Sequence, residues 1–254
     1  ELETTRTMKL DDTLHTQWSP SGDRLATTIP GSWGQGRTTY GGLMGAHALS
    51  IAKRADPERA IRSFSSQLVR PIRPGPVEAT LQVVRRGKNT TFVEVELHQD
   101  SMASRFQVVL GSPRPASLAV PAPESFRVPN PDELVELPYV EGMMPKFLQH
   151  FDLRWSEGSV PYSGTQASFA GVCRYRGEAG GAEGLAALLD AWPCPSLAAL
   201  RKPASASTAT WSAQLFHQPP QLDGWCSFRY RTEHGADGFH AVRGALFDAS
   251  GAML

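Results

Sequence analysis

From Tyr40 to Lys53 the chain reads Tyr-Gly-Gly-Leu-Met-Gly-Ala-His-Ala-Leu-Ser-Ile-Ala-Lys, small or apolar on nearly every side of a helix. A helix without a polar face has to be covered almost all round. Directly after Pro57 the period changes from helical to two. Ser63 to Val69, Val77 to Val83, Phe92 to Leu97 and Phe106 to Leu110 alternate as strands, joined by turns at Arg70 to Pro76 and Arg86 to Asn89. Such short connections predict antiparallel neighbours. Upstream, Leu14-His15-Thr16-Gln17-Trp18 predicts a short strand, Pro20-Ser21-Gly22-Asp23 a turn, and a second short strand leads up to Pro30. One sheet must therefore curl around one apolar helix.

The same order returns in the second half of the chain. Phe151 to Trp155 and Gln166 to Arg174 read as strands, and Leu185 to Trp192 with Leu197 to Leu200 as the helix. Trp211 to His217, Trp225 to Glu233 and Phe239 to Phe247 follow as strands, with turns at Pro219 to Gly224 and His234 to Gly238. Even the strand exits correspond, Leu68-Val69-Arg70-Pro71 against Phe216-His217-Gln218-Pro219. This repetition predicts an internal duplication, an α+β chain of two helix-wrapped antiparallel sheets able to pair edge to edge. Between the halves, Pro113, Pro115, Pro121, Pro123, Pro129, Pro131 and Pro138 predict an extended surface connector, since each proline fixes φ and removes a donor. The boundaries expected are residues 1–112, a connector over 113–146, and residues 147–254.

Composition narrows what such a chain can do. Lys and Arg number 25 and Asp and Glu number 25 in 254 residues, which leaves no net charge and argues against nucleic acid as a partner. No uninterrupted apolar run approaches the roughly 18 residues of a membrane span. Cys173, Cys194 and Cys226 are widely spaced, form no CxxC pair and have no histidine at ligand spacing. Neither a disulfide framework nor a structural metal site is expected, and no motif calls for a cofactor. Glu1 to Leu10 lacks the basic-then-apolar pattern of a secretory signal, so the expected location is cytoplasmic. Open sheet edges make a homo-oligomer the expected assembly.

Asp190 is the most informative polar residue. It lies among Leu188, Leu189, Ala191 and Trp192, where loss of water would raise its pKa and make it a stronger base. It could equally be a helix N-cap, with Pro193 and Pro195 marking a restart. Gly41 and Gly42 could bring backbone amides close to a carbonyl oxygen, or merely let the helix meet the sheet closely. Arg70, Arg73, Arg85, Arg86 and Lys88 form either a phosphate-attracting group or a solvated set of turn charges. His217 precedes a turn and reads as structural.

The sequence Tyr40-Gly41-Gly42 before the apolar helix, Arg62 to Pro71, and Gly87-Lys88-Asn89-Thr90-Thr91-Phe92 together resemble the first half of the acyl-CoA thioesterase II (TesB-like) family of double hotdog fold. Leu189-Asp190-Ala191-Trp192-Pro193, Phe216-His217-Gln218-Pro219, Asp223-Gly224-Trp225 and Gly244 to Gly251 continue the resemblance in the same order, from about Thr13 to the C-terminus. It implies hydrolysis of acyl-CoA thioesters by water, without metal or covalent acyl-enzyme, in lipid metabolism. The water would be oriented by an aspartate, a strand hydroxyl and a glutamine on a final strand. The aspartate falls on Asp190. The hydroxyl falls within Ser207 to Ser212, with Thr210 favoured as catalytic and Thr208 and Ser212, with Gly41 and Gly42, as substrate-binding. A gapless match counted back from Phe216-His217 sets Ala209 opposite the family's threonine, and a one-residue shift or a bulge would bring Thr210 there. The glutamine would fall beyond Leu254, and a sequence that omits the true C-terminus is the expectation. His47 could serve as the base of a hotdog hydratase or dehydratase if an acid faced it, or pack as a hydrogen-bonded core residue. A non-catalytic acyl-CoA or acyl-carrier binding module is the remaining alternative.

Overall fold

The structure is a computed structural model that describes residues 18–118, 120–122, 124–164, 166–222 and 224–254. Of the short strand expected over Leu14 to Trp18, residues 14–17 lie outside the described residues, and Trp18 precedes the first strand.

Helix α1 (Gly41–Lys53) is buried over nearly its whole length, from Gly42 to Ala52 with only Ser50 partly exposed, as its lack of a polar face requires. Around it curl β1 (Ser19–Ser21), β2 (Arg24–Ile29), β5 (Ala60–Leu68), β6 (Gly75–Arg86), β7 (Thr90–Gln99) and β8 (Ser101–Gly111), and a short β3 (Gly34–Gln35) and β4 (Thr38–Thr39) pair just before the helix. Every pairing is antiparallel. Register shifts at Ile61/Ser63, Val83/Arg85 and Leu97/His98 supply the local twist that lets the sheet wrap. Phe64, Val77, Ala79, Val93, Val95, Phe106 and Val108 face the helix and form the core with Leu43, Leu49 and Ile51.

The second half repeats the plan with β9 (Phe151–Gly158), β10 (Ser168–Tyr175), α2 (Gly181–Leu189), β11 (Thr210–Gln214), β12 (Cys226–Ala236) and β13 (Phe239–Phe247). Its helix starts earlier and stops sooner than the sequence pattern suggests. Gly181 opens it at φ +63°, Asp190 closes it, and the Leu197 to Ala199 stretch becomes a separate 3-10 turn at Pro195–Ala199. Pro193 and Pro195 enforce that break, because neither can donate to the preceding turn.

The two halves share a sheet. β11 pairs with β5 from Thr210 opposite Gln67 to Gln214 opposite Ser63, which extends the first sheet to seven strands in the order β1-β2-β6-β7-β8-β5-β11. The other sheet runs β13-β12-β10-β9. Leu254 touches both, donating its amide to the Leu246 carbonyl at 3.0 Å and accepting from the Phe216 amide at 2.9 Å. A second seam is aromatic: Tyr40 stacks on Phe147 at 4.0 Å and Trp33 on His150 at 3.9 Å between ring centroids. These contacts join two cores into one.

The described residues of the connector are mostly exposed, with two side chains that anchor it. Phe126 and Val128, two residues apart in extended chain, insert on one side into a small cluster with Ala170, Val172 and Phe247 on the outer face of the second sheet. The Val128 amide donates to Ser227 Oγ at 3.1 Å and Ser125 Oγ to the Gly251 carbonyl at 2.7 Å. Proline supplies the extended backbone, and alternation of apolar side chains anchors it.

Leu49 is fully buried between α1 and the sheet. Leu49→Ala should cost about 2–5 kcal/mol of unfolding free energy, read as a lower urea midpoint, whereas Val69→Ala at an exposed position should stay within about 0.5 kcal/mol.

Candidate active site

The start of α1 and the end of α2 meet, and Asp190 is the residue between them. It is the C-cap of α2, with φ −93° and ψ 0°, and not the N-cap that its sequence neighbours equally allow. Its carboxylate accepts a hydrogen bond from the Gly42 backbone amide. Gly41 makes the approach possible: a Cβ there would stand 3.0 Å from Asp190 Oδ2. Gly42 has its own reason to be glycine, since a Cβ would overlap the Tyr40 ring at 2.5 Å.

Opposing effects set the proton affinity of this acid. Burial among apolar side chains raises it, and the Gly42 amide lowers it. Burial wins, and the Asp190 pKa is pushed up to about 7. The carboxylate therefore changes charge in the neutral range, where an ordinary aspartate is fully ionised. Asp190 as a whole residue is half-buried.

Two phenols, Tyr40 and Tyr230, lie near enough to the carboxyl to feel its charge, and Tyr40 and Tyr175 tie α2 to the core. Tyr40 Oη donates to the Ala187 carbonyl of α2, and Tyr175 Oη donates to the Gly184 carbonyl at 2.7 Å. Burial first, and the nearby Asp190 charge second, raise the Tyr40 and Tyr230 pKa values well above the ordinary value. Both stay protonated near neutral pH.

The structure brings Gly41, Gly42 and Asp190 together. The glycines do so by holding the acid, with the Gly42 amide already engaged by Asp190. It does not bring the favoured hydroxyl. Pairing of β11 with β5 is continuous, without a shift or bulge over Thr210 to Gln214. Trp211 points inward, its ring lying 2.7 Å from where a Gly45 Cβ would be and 4.7 Å from Phe64 between centroids. By strand alternation Thr210 and Ser212 point outward, and both are exposed. Thr208 is exposed and precedes the strand. The inward parity belongs to Ala209, Trp211 and Ala213, and only a bulge could have reversed it.

His47 is buried and accepts a hydrogen bond at Nδ1 from Trp18 Nε1 at 2.9 Å. Burial alone pushes its pKa down to about 3, and no carboxylate contributes. The facing acid that a hydratase base would need is not found among the described residues. Of the basic turn residues, Arg73 pairs with Asp100 at 2.7 Å and Arg86 with Asp56 at 3.1 Å, so these two are committed within the fold. Among the described residues no helix is long and apolar enough to cross a membrane.

Comparison with known proteins agrees with this architecture. Residues 29–112 match the acyl-CoA thioesterase N-terminal domain family and residues 131–254 the acyl-CoA thioesterase C-terminal domain family. The chain belongs to the acyl-CoA thioesterase family. Its fold is the double hotdog. A conserved protein of unknown function with hot dog fold from Alicyclobacillus acidocaldarius superposes with a TM-score of 0.85 at 18% identity, over 97% of this chain and 94% of that one. The acyl-CoA thioesterase II TesB2 of Mycobacterium marinum gives 0.75 at 14% identity, over 96% and 94%. The tesB protein of Mycobacterium avium subs paratuberculosis gives 0.75 at 18%, also over 96% and 94%. No curated protein matches the chain. At these identities the superpositions speak for the fold, and the family match for the kind of chemistry.

The raised Asp190 pKa has a consequence for stability. In the unfolded chain the group titrates near 3.8 and in the folded chain near 7, so folding favours its protonated form. Stability from this group is complete below pH 3.8 and is lost as the pH rises through about 7. Asp190→Asn, which cannot ionise, should therefore gain stability relative to the parent as the pH is raised across that window, measured by thermal unfolding at fixed ionic strength. A constant difference across the window would contradict the assigned shift.

Proposed function

We propose that this protein hydrolyses acyl-CoA thioesters to the free acid and coenzyme A, with Asp190 as the base that activates water. The observation that carries this reading is the Asp190 carboxyl itself, poised near neutral pH at the junction of the two helices. Water is a poor nucleophile towards a thioester carbonyl, and a desolvated carboxylate is the group at hand to improve it. Ionised Asp190 takes one proton as the water oxygen bonds to the carbonyl carbon. The tetrahedral intermediate then collapses with cleavage of the carbon–sulfur bond. The leaving thiolate recovers the proton from Asp190, so the carboxylate is regenerated and no group on the protein is acylated.

Gly41 and Gly42 serve this mechanism by leaving room for the carboxyl and by donating to it. The hydroxyl role of Thr210, and the substrate contacts of Thr208 and Ser212, find no support in the outward setting of these residues. Units over residues 1–112 and 147–254, joined by 113–146, are the proposed division. A homo-oligomer working in the cytoplasm, in lipid metabolism, remains part of the proposal.

Release of free thiol from a panel of acyl-CoAs, short, long and aromatic, tests the reading with the parent protein and Asp190→Asn side by side. The parent should turn over at least one member, and the variant should lose about 100-fold or more of kcat. Activity of the parent should rise with pH along a limb with its midpoint near 7, set by ionisation of Asp190. Binding of acyl-CoA without turnover would mark a binding module instead. Activity lost in His47→Ala but retained in Asp190→Asn would mark a hydratase-type site.

A further inference from the structure

Two glycines of α1 share one face of the helix. Gly41 and Gly45 are four residues apart, so their Cβ positions are neighbours, about 5–6 Å from each other. Each looks at a different group of the second half. A Cβ on Gly41 would stand 3.0 Å from Asp190 Oδ2, and a Cβ on Gly45 would stand 2.7 Å from the Trp211 indole. The acid and the indole are thereby placed along the same helix face, about one turn apart.

β11 carries the indole in a fixed setting. The ring meets Phe64 edge-on at 4.7 Å between centroids, and the Ser66 hydroxyl donates to the Trp211 carbonyl at 2.9 Å. Gly45 on one side and Phe64 on the other hold the ring as a wall. The loop over residues 54–59 returns the chain from α1 to β5, so β5 runs back along the helix and its Leu68 end lies towards Gly41. Ala209 sits beside that end, its carbonyl accepting from the Leu68 amide at 2.9 Å. On the inner face of β11 a methyl group is therefore next to the acid, and the indole follows two residues on.

The directions away from the carboxyl differ in what fills them. Towards Trp33 and Phe147 the Tyr40 ring closes the way, since it lies against Gly42, stacks on Phe147 and reaches the Ala187 carbonyl. Beyond Asp190 in the chain, Ala191 and Trp192 are buried in the core. Small residues border the acid along the face of α1 from Gly41 to Gly45, opposite Ala209, and this strip ends at Trp211.

We infer that Trp211 limits the length of the acyl group at the Asp190 site, so that the substrates are short-chain acyl-CoA thioesters. The inference rests on the proposed hydrolysis. The acyl chain runs from Asp190 along the Gly41 to Gly45 face and stops against the indole, a run of one helical turn that admits about four carbons. A longer chain would have to displace a ring clamped between Gly45 and Phe64, which overpacks the seam.

The test compares straight-chain acyl-CoAs, from the acetyl to the dodecanoyl thioester, with the parent, Trp211→Ala and Trp211→Leu. In the parent kcat/KM should drop sharply beyond short chains. Trp211→Ala should raise the ratio of kcat/KM for octanoyl over butanoyl thioester about 100-fold, and Trp211→Leu by less. Trp211→Leu keeps an apolar side chain in the seam and carries the test if the alanine variant shows no cooperative melting. A second readout needs no turnover: dissociation constants of S-alkyl-CoA thioethers of the same lengths should show the same limit, displaced to longer chains in the variants. Efficient parent turnover of long chains overturns the inference, as does a Trp211 effect equal at all lengths, and in both cases the hydrolysis stands if Asp190→Asn is inactive. A length limit in thioether binding that moves with Trp211, without turnover of any thioester, removes the hydrolysis and keeps the limit. A parent protein that neither turns over acyl-CoA nor binds the thioethers removes both.

Discussion

The arrangement depends on how closely the beginning of α1 can approach the end of α2. That approach is set by Gly41 and Gly42, one leaving space for the Asp190 carboxyl and the other for the Tyr40 ring. Once the helix ends meet, the rest follows. Tyr40 reaches the Ala187 carbonyl, its ring stacks on Phe147, and the carboxyl is left with one backbone donor in an apolar setting. A bulkier residue at either position would move the acid, and with it the proton affinity that the chemistry uses.

Two sheets are needed to hold two helices in that relation. β11 leaves the second half to extend the first sheet, and Trp211 on it reaches inward to Gly45 of α1. The same strand that locks the halves together thereby fixes which of its side chains face the helix. An aromatic anchor at Trp211 excludes the neighbouring Thr210 from the inner face, because alternation permits only every second residue. Structural and chemical demands compete on one five-residue strand, and packing prevails.

Much of this was legible in the sequence. The apolar run at Tyr40 to Lys53 and the period-two segments after it required a helix wrapped by an antiparallel sheet, and the repetition of that order required two. Asp190 could be picked out by its apolar neighbours alone. Its position at the end of α2 could not, because an aspartate before Pro193 and Pro195 reads as an N-cap until the helix boundary is known. In the connector, prolines predict an extended path but say nothing of where alternate side chains such as Phe126 and Val128 are buried.

The central claim is that the Asp190 carboxyl is held by burial in the neutral range, and direct titration tests it. With 13C-labelled aspartate and Asp190→Asn to assign the resonance, the carboxyl shift followed from pH 3 to 9 should give a midpoint near 7. A midpoint near the ordinary aspartate value of about 3.9 would contradict the account, since the group would then be a solvated helix cap and not a poised base.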